Sequence, residues 1–392
     1  MRCQKYSSIC AIACCVLLLA SCTTTRIPVA SKFCASDEVL IDANFEGGNF
    51  AHCSISDTNV ATIDIRPEDA PPINESPWYA FRVSPRQATE ASITMHFHDG
   101  YARYWPKIST DGTTWTEASV RDVHRSDDGM SMTLTLSLGE QALYVSGQEL
   151  ITTNFYYSWI RELAERGDVN TQLLGHSVEG RPLFVAKTSE KPEAIILIGR
   201  QHPPEITGAL AMRTFVDTVL GDSELATTFR QRFCIVIIPL INPDGVAHGH
   251  WRHNVNGVDL NRDWGPFTQP ETQSVARFLA TEEFSDTRLR LMLDFHSTRV
   301  NTFYTQLPSE TNYAFDFATV WLDRSRTRVP DFEFKHDAQA HSGQANTKNY
   351  FHDTYGIPAI TYELGDETNR AAIYSSTPVF AEEMMRTLLE VE

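Results

Sequence analysis

Positive charge is what this sequence most lacks: 33 Lys and Arg stand against 50 Asp and Glu in 392 residues, a formal net charge of −17. A polyanionic partner would be repelled at long range, so nucleic-acid binding loses its usual electrostatic footing. Long Gly/Pro-rich or polar tracts are also missing, and no segment recurs at a fixed period, which removes the compositional grounds for disorder or a repeat array. What remains, 42% hydrophobic and 21% charged residues, is the make-up of an ordered globular protein. Its length allows a large buried core and two or three domains.

The first thirty residues read differently from the rest. Arg2 and Lys5 precede an apolar run from Ile9 to Ala20, too short to cross a bilayer comfortably but suited to the core of an export signal. The run ends Leu19-Ala20-Ser21-Cys22, which resembles the lipobox of bacterial lipoproteins, where the cysteine is acylated and becomes the new N-terminus. The expectation is a lipoprotein signal peptide over 1–21, lipidation and membrane anchoring at Cys22, and a tether over 22–38. The protein would then sit in the bacterial cell envelope, on the periplasmic side of the outer membrane rather than at the inner membrane. A plain secretory signal or a short membrane anchor with an incidental cysteine is the competing reading. Cleavage before Cys22 leaves 31 basic against 50 acidic residues, a net charge of −19. Cysteine becomes scarce too, because Cys3, Cys10, Cys14 and Cys15 leave with the signal. Cys34 and Cys53 are close enough in sequence for a disulfide in an oxidising compartment, with two free thiols as the alternative. Cys234, within the apolar run 233–238, reads as a small buried hydrophobe rather than a nucleophile.

The remainder divides in two. From Val39 to Tyr144 short alternating runs such as Ala91 to Phe97 and Met132 to Leu136 are separated by Asp-Gly turns at 99–100, 111–112 and 128–129, the grammar of a β-sandwich. The boundaries expected are 39–147 for this domain and 148–392 for the next. Trp78, Tyr101, Tyr104, Trp105 and Trp115 could form a carbohydrate-binding face, although core and inter-domain packing is the more ordinary use of such residues. Beyond Asn154 apolar strands alternate with helices: strands at Ala194–Ile198, Phe233–Leu240, Leu289–Phe295 and Ala359–Tyr362, helices at Ile206–Val219, Glu271–Thr281, near Ala314–Arg324 and near Val379–Leu389. This alternation implies an α/β fold with a mixed, mostly parallel sheet covered by helices on both faces. Such sheets bind ligands beyond the carboxyl ends of their strands.

That rule picks out His202, Glu205, His296 and Glu363, each just past or at the end of an expected strand. His202-Pro203-Pro204-Glu205 turns sharply, since a residue before proline is held extended and proline fits the first helical position. Glu205 can therefore curl back beside His202. With His296 they form a His₂Glu set, the three-ligand arrangement that leaves zinc a position for water. Two neutral imidazoles and one carboxylate leave the ion a net positive charge, so it remains a Lewis acid.

Alone, His-x-x-Glu is a weak signal. The order of further motifs raises it: Asn242-Pro243-Asp244-Gly245, Trp251-Arg252, Gly257 to Trp264 reading GVDLNRDW, Asp294-Phe295-His296, and Tyr362-Glu363-Leu364. Together they resemble the zinc carboxypeptidase family over roughly Tyr156 to the C-terminus. The β-segment ahead of it most resembles the cytosolic-carboxypeptidase branch, whose members remove glutamates. The resemblance implies one Zn²⁺ per chain held by His202, Glu205 and His296, with Glu363 as general base toward the attacking water. Arg252 would stabilise the oxyanion, Asn261 and Arg262 would grip the terminal carboxylate, and Asp259 would orient a histidine ligand. The partner so implied is a peptide with a free C-terminal carboxylate.

Two departures from the family pattern bear on substrate handling. The loop that carries a substrate-covering tyrosine in the best-known members reads Ala338 to Gln344 without one here, and Tyr350 has no assigned role. The residue at the floor of the specificity pocket aligns as Lys348 or Asn346, depending on the direction of counting. Lys348 would favour an acidic C-terminal side chain. The histidines 248, 250 and 253 suggest a second metal, but their own loop offers no carboxylate or thiolate to complete one. Rival functions are a zinc acylase resembling the aspartoacylase group and a glycan-binding lipoprotein with an inactive α/β domain.

Overall fold

The alternating strands of the first half build two sheets. One runs β1 (Phe33–Ala35), β2 (Val39–Asp42), β5 (Ala80–Pro85), β11 (Leu143–Ser146), β7 (Lys107–Ser109) and β8 (Thr116–Glu117). The other runs β3 (His52–Ile55), β4 (Val60–Ile65), β6 (Thr89–Phe97), β10 (Ser131–Leu138) and β9 (Val123–Arg125). In β10 the period-two pattern turns Met132, Leu134, Leu136 and Leu138 inward, the first three opposite Met95, Ile93 and Ala91 of β6. The Asp-Gly turns work as expected, with Gly112 and Gly129 at φ of 71° and 70°, values a residue with a Cβ rarely adopts.

The computed structural model describes residues 32–390 apart from 282, 283, 285, 312–315, 340 and 341, so the expected signal, Cys22 and the first part of the tether lie outside the described residues. Strand β1 falls inside the segment 22–38 expected to be tether. It pairs antiparallel with β2, and Cys34 within it is disulfide-bonded to Cys53 of β3. Of the expected aromatic face, Trp78 and Tyr104 are buried. The indole N–H of Trp78 donates to the Gly47 carbonyl.

The second half is one eight-stranded sheet. Its order is β12 (Val169–His176), β13 (Pro182–Thr188), β15 (Phe233–Ile238), β14 (Glu193–Gly199), β16 (Arg288–Thr298), β19 (Ala359–Gly365), β17 (Thr302–Gln306) and β18 (Lys335–Gln339). The central strands β15, β14, β16 and β19 are mutually parallel, and β17 joins β19 antiparallel. Alternate residues feed two cores. Ile195, Leu197, Leu291, Leu293 and Phe295 pack under α2 (Ile206–Val219) and the helices Phe317–Arg328 and Arg370–Glu390. Ala194, Ile196, Ile198, Met292 and Ala359 pack under the helices Pro270–Leu279 and Thr347–Tyr355.

The last helix begins at Arg370, well before the expected start near Val379, and runs through Pro378. Burial of Ile373, Phe380 and Met384 outweighs the hydrogen bond that the proline removes. The outer strands β12, β17 and β18 were not legible as strands, because polar residues interrupt their alternation.

Candidate active site

Strand β14 delivers the chain to the catalytic turn through Arg200, which has a left-handed φ of 54°. That uncommon conformation is held by its buried guanidinium, which donates to the carbonyls of Pro203 and Ile151 and to the Tyr156 hydroxyl. Gln201 pins the turn from the next position. Its amide donates to Asp294 Oδ2 at 2.6 Å and to Thr347 Oγ1 at 2.7 Å, and its oxygen accepts from Trp264 Nε1 at 2.9 Å.

His202 and Glu205 then meet as the prolines require, with His202 Nδ1 2.8 Å from Glu205 Oε1. The second carboxylate oxygen, Oε2, lies 2.7 Å from His296 Nδ1. Each of the three residues offers one ligand atom, all within 4.8 Å of one another, and all three side chains are buried. The close fit of α2 against β16 depends on Gly208, where an added Cβ would lie 2.4 Å from the His296 carbonyl oxygen.

The outer ring nitrogens are fixed as well. His202 Nε2 is 2.9 Å from Asp259 Oδ1, and His296 Nε2 is 2.8 Å from Asp294 Oδ2. With a carboxylate taking the outer N–H, each ring can offer its Nδ1 to a metal on the Glu205 side once the proton shared between Nδ1 and Glu205 is displaced. Burial acts to raise the Glu205 carboxyl, but the charges of His202 and His296 hold it well below the usual range. For His296 burial favours the neutral ring, and Asp294 and Glu205 reverse this and raise its pKa well above the ordinary value. Two buried carboxylates, Glu205 and Asp294, and the half-buried Asp259, which Arg252 pairs, thus surround two imidazoles, a concentration of negative charge that a divalent cation would balance. Two imidazole nitrogens and a carboxylate are zinc donors.

The registry of the parallel strands places Glu363 beside the metal set, since β19 pairs Glu363 directly with His296 of β16. Alternation gives Asp294, His296, Thr361 and Glu363 the same face of the sheet. Burial, then the negative charge of Glu205, pushes the Glu363 carboxyl up to about 8. Its Oε2 is buried and has no hydrogen-bond partner among the described residues.

A cavity of about 300 Å³ opens over these groups. Arg252, Asn261, Arg262, Lys348 and Asn346 line it along with the metal set and Glu363. Arg252 Nε donates to Asp259 Oδ2 at 2.7 Å. Asn261 Oδ1 accepts from the Thr347 amide and hydroxyl, each at 3.0 Å, which leaves its Nδ2 3.5 Å from His296 Nε2. Arg262 makes no ion pair within 4.0 Å among the described residues, and its Nη1 donates to the Asn261 carbonyl at 2.7 Å. The Asp263 carboxylate instead accepts from Thr268, Gln269 and Thr272. Lys348 is buried, its ammonium 3.5 Å from the Thr305 carbonyl, and burial lowers its pKa. Tyr350 packs on Trp264 and Phe267, away from the cavity. Tyr304 of β17 does line it.

Several site residues escaped the sequence reading. Asp294 was within reach, since it stands two residues before His296 and so on the same face. Glu68 and Arg103 come from the sandwich and had no local signal. Glu68 Oε1 accepts the backbone N–H of Arg252 and His253, and its Oε2 that of Trp251, at 2.7 to 2.8 Å. His253 Nδ1 lies 2.7 Å from Asp69 Oδ2. The histidine-rich loop therefore does meet carboxylates, contrary to the expectation, because the β-domain supplies them. Glu68, Asp69 and His253 fall within ligand distance of one another, but Glu68 is already engaged by three amides. It is a strap on the loop that carries Arg252.

Residues 156–380, more than half of the chain, match the zinc carboxypeptidase family, and residues 41–146 match the cytosolic carboxypeptidase N-terminal domain. The chain belongs to the zinc carboxypeptidase family, with a cytosolic carboxypeptidase-type β-domain ahead of the peptidase domain. Among its relatives, an uncharacterised protein of Zymomonas mobilis is 28% identical over 60% of this chain and 62% of its own length. Human cytosolic carboxypeptidase 6 is 24% identical over 68% of this chain and 58% of its own length. The match to Xenopus tropicalis cytosolic carboxypeptidase 2 spans 12% of that protein, so the chain covers less than two thirds of these relatives. Among solved structures, a metallo-carboxypeptidase from Burkholderia cenocepacia shares the fold at a TM-score of 0.72 with 20% identity, covering 90% of this chain and 98% of that one. A Pseudomonas aeruginosa metallo-carboxypeptidase in complex with (2-guanidinoethylmercapto)succinic acid shares it equally, at 0.72 and 20%, covering 90% and 100%.

Proposed function

We propose that the protein is a zinc-dependent carboxypeptidase that hydrolyses the last peptide bond of substrates with a free C-terminal carboxylate. The observation that carries this is the pairing of Glu363 with His296 on adjacent strands, which puts an unpartnered carboxylate oxygen in one cavity with the His202, Glu205 and His296 set.

Zinc bound by His202, Glu205 and His296 would supply Lewis acidity toward the scissile carbonyl and the attacking water. The remaining work falls to the chain itself. Glu363 takes a proton from the water and passes it to the leaving amine. Its carboxyl must be ionised to begin; burial and then the charge of Glu205 raise it, and a cation beside Glu205 would offset the second of these. Arg252, fixed by its side-chain bond to Asp259 and by the hydrogen bond its backbone N–H donates to Glu68, presents a preorganised positive donor to the oxyanion. Asn261 and Arg262 hold the terminal carboxylate, Arg262 with a guanidinium that no described carboxylate occupies. Tyr304, which lines the same cavity, takes the place of the absent loop tyrosine.

At the cavity floor, buried Lys348 favours an acidic C-terminal side chain by local charge pairing, even though the −19 body repels such a peptide at longer range. Replacing Lys348 by Glu should shift a peptide panel from acidic toward basic C-termini. An unchanged profile would remove Lys348 from the pocket. Acylation of Cys22 would hold the enzyme in the cell envelope. Loss of detergent-phase partitioning in a Cys22→Ala chain checks that arm.

The direct test incubates residues 23–392 with peptides varied at the C-terminus, with and without chelator, and reads the products by mass. Loss of single C-terminal residues that stops with chelator and returns with zinc is expected. Cleavage at interior bonds, or turnover indifferent to chelator, would refute the reading. Release of an acyl group from N-acyl amino acids, with peptides untouched, would favour the acylase instead.

A further inference from the structure

We propose that Arg103 of the β-sandwich binds the substrate on the N-terminal side of the scissile bond, so that the sandwich forms part of the active site. This rests on the carboxypeptidase reading above.

Arg103 lines the catalytic cavity together with Asn74 and Ser76, three residues of the sandwich half facing His202, Glu205 and Glu363. Its side chain is only 9% exposed, and most of its donors are spoken for. Nε donates to Asp366 Oδ2 at 2.8 Å, and Nη1 to the Glu75 carbonyl at 2.9 Å and the Ser76 hydroxyl at 2.8 Å. Nη2 has no acceptor among the described residues. That arm is not among the buried unpaired atoms and so reaches open space in the cavity. An arrangement in which three partners lock the fork and one arm is kept open suits a ligand oxygen.

The position argues for which oxygen. Arg252, Asn261 and Arg262 belong to one chain segment gathered around Asp259, and the terminal carboxylate is allotted to them. Arg103 hangs instead from Asp366, three residues beyond Glu363 and one past the end of the strand that carries it. A cation held from this second direction is free for a backbone carbonyl upstream of the bond that breaks. The cavity also continues on this side. Arg299, whose guanidinium lies 5.2 Å from the Tyr101 ring of the sandwich, lines both the catalytic cavity and a neighbouring one of about 670 Å³, leaving room for further residues of a longer peptide.

The test compares kcat/KM for a dipeptide with a free amino terminus, which has no carbonyl upstream of the scissile one, and a pentapeptide sharing the same two C-terminal residues, in the wild type, Arg103→Ala and Arg103→Lys, with thermal midpoints measured alongside. The pentapeptide-to-dipeptide ratio should exceed one in the wild type and fall about tenfold in Arg103→Ala, the value of one charge-assisted hydrogen bond. Arg103→Lys can still neutralise Asp366 and should recover the thermal midpoint, but with no second arm it should leave the ratio low. A ratio unchanged in both variants would overturn the proposal. So would a ratio that lysine restores in step with the midpoint, since Arg103 would then be only a strap between the sheets. A wild type that cleaves neither peptide would instead bring down the carboxypeptidase reading itself.

Discussion

The α/β body and the β-sandwich serve the site in opposite ways. The body supplies the groups proposed to hold the metal and to react, from strand ends: His202 after β14, His296 on β16, Glu363 on β19, each placed by sheet registry. The sandwich supplies hands that hold. Glu68 gathers the amides of residues 251–253, and Arg103 grips Asp366. Chemistry therefore localises to one region while orientation is shared, and substitutions in the two regions should fail differently.

The largest effect belongs to the body. Glu363→Gln removes the base without removing a ligand, so kcat should fall by about 10³-fold or more while one zinc per chain is still measured by elemental analysis. Arg252→Ala should lower kcat/KM by about 10²- to 10³-fold, with KM for short peptides changing far less than kcat. Asp294→Asn leaves His296 in place but weakens its orientation. A metal titration should show affinity reduced by about 10- to 100-fold.

The sandwich should give the smaller, indirect losses. Glu68→Ala releases the Arg252 loop and should reduce kcat about tenfold by misplacing the guanidinium. Adding Glu68→Ala to Arg252→Ala should then cost little more. Full additivity in that double variant would mean the sandwich acts on something other than Arg252, and the division drawn here would fail.

A last prediction concerns stability. In the metal-free protein burial pushes Asp366 up to about 6, Glu271 to about 7 and Glu363 to about 8. Between the ordinary carboxylate range and these values the unfolded chain has lost protons that the folded one keeps. Stability is therefore fully present below the ordinary carboxylate range as far as these groups are concerned, and it is lost from there as pH rises to about 8, most steeply below about 6 where all three groups contribute. Thermal midpoints of the chelated protein should fall across that window. Glu271→Gln should flatten the part below about pH 7, and an unchanged slope would remove Glu271 from this account.

How much of this was legible in the sequence follows the same division. The ligands and Glu363 could be read because local chemistry marks them: prolines force the His202 turn, and apolar runs announce the strands whose ends carry His296 and Glu363. Asp294 shares His296's face by simple alternation and was there to be read. Glu68 and Arg103 could not be, since each meets its partner across more than 180 residues and nothing nearby marks them. Strand β1 was mistaken for tether because its three residues are stabilised by pairing with β2 and by the bridge to Cys53, not by their own pattern. The last helix was cut short at Pro378 because local propensity was allowed to outrank packing.

The central claim concerns where the metal sits. A zinc-edge anomalous difference map of the zinc-loaded protein tests it most directly. The account predicts one strong peak about 2.0–2.2 Å from His202 Nδ1, His296 Nδ1 and a Glu205 oxygen, with no fourth protein ligand. A peak at Glu68, Asp69 and His253 with none at Glu205, or a coordination sphere already closed by protein atoms, would contradict it.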